Sequence, residues 1–522
     1  MCGSTIQLGC TKTLAQIWTS IHAAIYNTKR FIVIRNDRVI FTRGNANPYH
    51  AYSASKGLLG APTLVYAMSR CGVGLNDPAA NWLGHDSYGA RWDSDLPWSS
   101  ITVEQLASHT SGVCDYENTS TVCSNENSGW QSQYDKARAG GTTYVYPKDL
   151  FTIARAKSEQ NREPALDPGS VFEYSNVGHS LLNYVVQRAC GMKLTDIYDQ
   201  YIKQWGMGSA YNVPVISTDG GNKFNQSTGI AKWNGLDGAG VLRLAGRLGI
   251  WENKNVEPVR YWNLMTKAID DIAAAAAVGW GVVYNNNSMD MWTADAGHRR
   301  LSQETFGHGG NYSNIFINDP LTATIIVRQG ENNANGASYL TTNGCRQGWT
   351  GTSPSCSSGT NWGNNWGVSS GAVNFSTVGP RKKVVDPVQE AFFFPPPFCR
   401  MTSVAGTPVD YSTDIYSSQA DATTIDLEAE ITVNPREGTG SSVVDKVQFY
   451  KESGGGVTEY IGDGTPVAGS SPARFQLSYS TDSHGAVGEV KTYFANCIAK
   501  SIQNGSKKVP SYSRPVRVER GG

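Results

Sequence analysis

The run Phe392-Phe393-Phe394-Pro395-Pro396-Pro397 divides this 522-residue chain into two parts with different repeat rules. Three consecutive prolines fix φ and carry no backbone N–H, so neither a helix nor a central strand can run through them. They predict a stiff connector over residues 391–400. Beyond it, Ile425, Leu427, Ala429, Ile431 and Val433 alternate with other residues in the two-residue period of a half-buried strand. Val447, Phe449, Val457, Tyr460, Phe475, Leu477, Tyr493 and Val516 fall in further short runs between turn signals. Roughly 120 residues of this kind predict an all-β sandwich over 401–522.

Ahead of the connector the period is mostly helical. Leu14, Ile17, Trp18, Ile21, Ala24 and Ile25 form one apolar face of a first helix. Residues 30–35 and 38–43 read as two strands joined in a hairpin at Asn36-Asp37. Helices are predicted over about 53–70, 181–188 and 194–205, and strands of one antiparallel sheet over 279–284, 312–317 and 323–327. The class over residues 1–390 is therefore α+β: an antiparallel sheet flanked by helices, with a helical lobe inserted. Residues 114–165 read as loops over a cleft. Residues 344–376, rich in Gly, Asn, Ser and Trp, read as a surface loop region. There Trp349, Trp362 and Trp366 either line a groove or cover the edge of a core.

Lys and Arg together number 44 and Asp and Glu 44, giving no net charge, and charged residues are only 17% of the chain. A nucleic-acid partner calls for a basic excess or stripe, so none is expected; Arg381-Lys382-Lys383 reads as a solvated edge of the connector. No apolar run reaches the roughly 18 residues that span a bilayer, so no membrane span is expected. The ten cysteines include no Cys-x-x-Cys pair, and the eight histidines no His-Glu-x-x-His pattern, so neither metal nor cofactor is expected. An even count flanked by Gly, Ser, Asn and Thr reads as disulfides, with free buried thiols as the alternative. The preferred pairings are Cys114–Cys123, Cys345–Cys356 and Cys399–Cys497. A secreted or periplasmic location follows, with a signal peptide removed and Met1 added in expression.

Ser53-Ala54-Ser55-Lys56 stands where a polar turn runs into an apolar helix. Three residues of helix place the lysine amine one turn above the serine hydroxyl, and a serine needs such a neighbouring base to become a nucleophile. Further on, Tyr174-Ser175-Asn176 follows a turn at Pro168-Gly169, and His308-Gly309-Gly310-Asn311 opens a β-rich stretch. Ser-x-x-Lys, Tyr-x-Asn and a basic residue followed by glycine, in that order, make this chain resemble the penicillin-recognising serine enzymes. The likeness is to their class C β-lactamase, DD-peptidase and esterase branch, over roughly residues 13–330. Connecting segments agree: Gly74-Leu75-Asn76-Asp77-Pro78, Ser108-His109-Thr110-Ser111-Gly112 and Trp205-Gly206-Met207-Gly208.

The resemblance implies a β-lactamase/DD-peptidase-like fold and a set of roles. Ser53 would be the nucleophile. Tyr174, between Lys56 and His308, would be the general base or proton shuttle, and Asn176 would hydrogen-bond Lys56 and an acyl-side carbonyl. The backbone N–H groups of Ser53 and Asn311 would form the oxyanion hole, with Gly309 and Gly310 leaving room for substrate. Each residue also has a plain reading: Ser53 as a helix N-cap, Tyr174 and Asn176 as turn residues, His308 and His109 as structural histidines. His179 either packs a helix or lines the cleft. Where β-lactamases usually carry Lys-Thr-Gly, this chain has His308-Gly309-Gly310, and a histidine charge depends on pH. The implied activity is cleavage of an amide or ester through a Ser53 acyl-enzyme, by a D-residue-type peptidase or a carboxylesterase. A β-lactamase, or a silent protein that binds cell wall or polymer, are the alternatives. The 444–450 segment resembles bacterial immunoglobulin-like modules appended to secreted hydrolases, which implies contact with a polymer or cell surface.

Overall fold

Phe31, Ile32, Val33 and Ile34 are consecutive and all buried, as in a strand covered on both faces. In the computed structural model they lie in β1 (Thr28–Arg35), an inner strand of the N-terminal sheet. The structure describes residues 28–83, 98–113, 168–169, 175–203, 215–217, 223–225, 231–251, 254–266, 304, 306–310, 314–330, 396–419, 422–433, 442–452, 457–502 and 505–521. The expected helix over 14–25, strand over 279–284, loops over 114–165 and 344–376, and pairings Cys114–Cys123 and Cys345–Cys356 lie outside these residues.

With β2 (Arg38–Gly44), β3 (Phe306–Gly310), β4 (Asn314–Asp319) and β5 (Thr324–Gly330), β1 forms an antiparallel sheet in the order β2-β1-β5-β4-β3. The hairpin between β1 and β2 turns at Asn36 and Asp37, whose φ values of +46° and +60° are the left-handed pair of a type I′ turn. Five helices matter here: α1 (Ala61–Arg70), α2 (Val103–Ala107), α3 (Asn176–Cys190), α4 (Gly235–Gly246) and α5 (Val259–Thr266). Helix α4 lies directly on the sheet. A Cβ at Gly238 would fall 2.5 Å from the Phe316 ring, so only glycine admits that approach.

The structure adds a disulfide that the spacing of cysteines did not suggest: Cys71, just past α1, pairs with Cys190, the last residue of α3. Cys399–Cys497 is formed as expected. All four described cysteines are thus paired.

The C-terminal region is all β. One antiparallel sheet runs β7-β6-β9-β13-β12, with β6 (Phe398–Val404), β7 (Thr407–Pro408), β9 (Thr424–Thr432), β12 (Thr465–Pro466) and β13 (Ala473–Ser480). The second runs β8-β16-β14-β10-β11, with β8 (Tyr416–Ser417), β10 (Ser442–Glu452), β11 (Thr458–Asp463), β14 (Val490–Ser501) and β16 (Val516–Glu519), while β15 (Lys508–Tyr512) also pairs with β14. In β9, Ile425, Leu427, Ala429 and Ile431 are buried as their period requires. They share a core with Val447, Phe449, Ala495 and Cys497 of the other sheet, the layering of a sandwich. Strand β6 begins at Phe398, inside the span expected as connector, because Cys399, Met401 and Val404 turn into that core.

The two regions touch through hydrogen bonds. Arg35 donates from Nη1 to the Thr322 carbonyl and to Thr324 Oγ1 (2.8 Å) and from Nη2 to the Pro510 carbonyl and to Ser511 Oγ (3.0 Å). The side chain of Asn36 donates to Pro510 O at 3.3 Å and accepts from Tyr512 N–H at 3.0 Å. Cys399 N–H donates to Leu321 O at 2.9 Å, tying β6 to the turn between β4 and β5.

Candidate active site

Ser53 sits in a tight turn. Tyr52, immediately before it, has φ +51°, an uncommon left-handed conformation for a tyrosine. Three successive bonds wind the turn: Ala54 N–H to Ala51 O (3.2 Å), Ser55 N–H to Tyr52 O (2.9 Å) and Lys56 N–H to Ser53 O (3.0 Å). Bonds spanning three residues are those of a 3₁₀ turn, in which side chains at i and i+3 eclipse. Ser53 and Lys56 therefore share a face at the start of the expected helix, in which Ala54 and Ser55 are already α-helical. From Lys56 to Gly60 the winding loosens to a π-helical turn, closed by Ala61 N–H to Lys56 O, before α1 begins. Such turns recur at functional sites. Ser53 is partly exposed, whereas Lys56 is completely buried.

Two strictly local features fix the next piece. Thr102 caps α2 by accepting from Gln105 N–H, and the Gln105 side chain returns to Thr102 N–H, a full capping box. Helix α2 then ends in the Ser108-His109-Thr110-Ser111-Gly112 turn, where His109 has φ +60°. Thr110 O accepts from Gly169 N–H at 2.7 Å, and His109 Nδ1 accepts from Ser175 N–H at 3.1 Å. Ser175 also caps α3, its Oγ accepting from Gly178 N–H at 2.8 Å. The middle of Tyr174-Ser175-Asn176 is thus anchored on both sides. Asn176 is the first residue of α3. Its side chain, all of Tyr174 and all of Asn311 lie outside what the structure describes.

His308 lies on β3, paired in register with Phe316 of β4, and is 4% exposed. Gly309 and Gly310 follow on the same strand, opposite Ile315 and Asn314. Lys56, His109, His179 and His308 come from four different elements yet act on one another. Burial, then the charge of Lys56 and the proximity of His308, hold His109 well below the usual imidazole range. The same influences, with His109 added, depress His179. The His109 and His179 rings are 5.9 Å apart, tilted by 30°. The structure therefore gathers Lys56 and His308 at one place, with two neutral histidines around them. The histidine pair is what sequence reasoning missed. Both residues stood in motif segments, but nothing along the chain shows that they face each other.

Among the described residues no group of three or more His, Cys, Asp or Glu side chains is arranged to hold a metal ion. No described helix is long and apolar enough to cross a membrane.

Residues 30–338 match the Beta-lactamase family. More than half of the chain is taken in by that match, and the protein belongs to this family of serine hydrolases. No curated protein matches the chain. Among solved structures it is similar to a putative 6-aminohexanoate-dimer hydrolase from Bacillus anthracis (16% identity, 63% of this chain and 81% of the other, TM-score 0.44). It is also similar to EstCE1, a hydrolase with promiscuous acyltransferase activity (17% identity, 60% and 92% covered, TM-score 0.41). A third is a D-stereospecific amidohydrolase from Streptomyces sp. (17% identity, 61% and 94% covered, TM-score 0.40).

Proposed function

We propose that the protein is a secreted hydrolase that cleaves an amide or ester bond through an acyl-enzyme on Ser53. The observation that carries this reading is the turn itself: a partly exposed serine and a fully buried lysine three residues apart on one face. Burial is the condition under which a lysine amine can serve as a base. In the proposed reaction Ser53 Oγ attacks the substrate carbonyl carbon and its proton passes to Tyr174, held between Lys56 and His308. The same proton then goes to the leaving amine or alcohol, and water, activated by the same base, releases the acid. Backbone N–H groups of Ser53 and Asn311 receive the oxyanion, a stabilisation of about 3–4 kcal/mol per donor in serine hydrolases. Asn176 orients Lys56 and the acyl chain. The glycines after His308 leave space for an extended substrate along β3, the outermost strand of the sheet among the described residues.

His308 shapes the substrate class. A histidine in place of lysine gives no fixed positive charge for a β-lactam carboxylate, which favours D-residue-type peptides and carboxylic esters over β-lactams. Disulfides at Cys71–Cys190 and Cys399–Cys497 support an oxidising compartment and hence secretion. The C-terminal sandwich forms a separate module of immunoglobulin-like type that reaches a polymer or cell surface.

Fluorophosphonate labelling followed by peptide mapping tests the nucleophile: the adduct is expected on Ser53, and labelling elsewhere, or none, overturns the reading. A nitrophenyl ester, a D-alanyl peptide and nitrocefin assayed side by side then rank the substrates. Nitrocefin turnover equal to the best of the others would make the protein a β-lactamase.

A further inference from the structure

His109 is 1% exposed and holds a left-handed backbone that costs any residue other than glycine, and asparagine and aspartate least among the rest. Its ring makes a bond with a direction. Nδ1 accepts the Ser175 N–H at 3.1 Å, so the proton of the neutral ring is assigned to Nε2. Ser175 lies 66 residues further along the chain and is flanked by Tyr174 and Asn176. The adjacent residue, Thr110, holds the other end of the same segment through Gly169 N–H. Two consecutive residues of one turn therefore grip both ends of the stretch that carries Tyr174. Only one of the two grips depends on a proton.

We propose that neutral His109 is a positioning residue that fixes the Tyr174-Ser175-Asn176 segment, and that its protonation releases this segment and shuts off turnover in acid. The proposal rests on the reading of Ser53 and Tyr174 given above. Protonation places a hydrogen on Nδ1, opposite the Ser175 N–H, and two donors cannot share one bond. Three groups face the ring from the elements packed against it: Lys56 from the nucleophile turn, His308 from β3 and His179 from α3. Each disfavours a further positive charge when it is itself charged. Burial, then Lys56 and His308, keep His109 neutral well below the usual imidazole range, so the segment is held near neutrality and released only in acid. The neutral form of His109 is thus a condition for Tyr174 to reach its place, although His109 touches no reacting atom.

Asparagine separates the hydrogen bond from the titration. Its Oδ1 can accept where Nδ1 does, it tolerates a positive φ, and it takes up no proton in this range. Profiles of kcat and KM for a nitrophenyl ester, from about pH 8 down to about pH 3, are measured for the native protein, His109→Ala and His109→Asn. His109→Ala is expected to lower kcat by about tenfold or more at neutral pH with KM little changed, and His109→Asn to recover most of that loss. The acid limb of His109→Asn is expected at least about half a pH unit below that of the native protein. An unmoved limb, or an asparagine variant no better than alanine, overturns the proposal. Amide exchange in the native protein gives a readout free of activity and of variant folding. As pH falls, protection of the peptide around Ser175, corrected for intrinsic exchange, should decline before that of α4. Equal decline also overturns the proposal. A native protein that fluorophosphonate fails to label at Ser53 refutes the catalytic reading instead, while the exchange experiment still reports on the His109–Ser175 bond.

Discussion

Among the described residues near the site, Tyr52 and His109 are held at positive φ, at +51° and +60°. Backbone strain of this kind persists only where surrounding structure over-determines it. Here Ala51 N–H bonds Ala231 O and the Ser175 N–H bonds the His109 ring. The nucleophile assignment makes a residue-scale prediction: Ser53→Ala should reduce turnover by more than about a thousandfold while leaving the urea midpoint unchanged. Wild-type rates in that variant would remove Ser53 from the mechanism. A second prediction concerns the buried imidazoles. Unfolded, His109 and His179 bind protons near pH 6.5; folded, both resist protonation to well below that. Below about pH 6.5 the unfolded state therefore holds more protons, and stability falls as pH drops from there towards the folded values. Between pH 7.5 and 5.5 the loss should be roughly 1–3 kcal/mol, read from urea titrations. A midpoint that holds steady or rises in acid would contradict the burial of these rings.

Helices α1 and α3 carry the site at or just before their N-terminal ends and are cross-linked at their C-terminal ends by Cys71–Cys190. The bond spans 119 residues, so it removes much conformational freedom from the unfolded chain. Replacing both cysteines with serine should cost about 2–5 kcal/mol, measured as a lower guanidinium midpoint. It should also lower kcat, because the two site-bearing helices lose their shared brace. A double variant with unchanged stability and kcat would show that helix packing alone sets their positions. At this scale the sequence was readable where the signal is local: the Asn36-Asp37 hairpin and the period of β9 both lie within a few residues. The start of the nucleophile helix was less readable. Apolar spacing predicts a continuous α-helix from Ser53, and the winding does run from Ala54 to Arg70, but over Lys56–Gly60 it loosens to a π turn. Periodicity over a few residues does not distinguish those windings.

For the molecule as a whole, the C-terminal sandwich is docked on the catalytic sheet through Arg35, Asn36 and the Leu321 carbonyl. Arg35 is buried, and although burial pushes its guanidinium down to about 9, with Asp319 opposing, it stays charged at neutral pH. Removing it leaves the carbonyls of Thr322 and Pro510 with only the longer bonds from Thr324 Oγ1 (3.2 Å) and the Asn36 side chain (3.3 Å). Arg35→Met should therefore cost roughly 2–4 kcal/mol. By calorimetry the native protein should unfold in one transition and the variant in two, as the sandwich and catalytic region uncouple. Two well-separated transitions in the native protein would show that the docking contributes little. Sequence by itself determined the class of each region, the hairpin and the Ser-x-x-Lys turn, because periods, turn residues and short spacings are written in neighbouring positions. Only tertiary structure decided that Cys71 meets Cys190, that His109 grips Ser175 and faces His179, and that β1 and β15 share Arg35. Those contacts join residues from 66 to 476 positions apart. They depend on how burial packs the elements together, which no local stretch of the chain encodes.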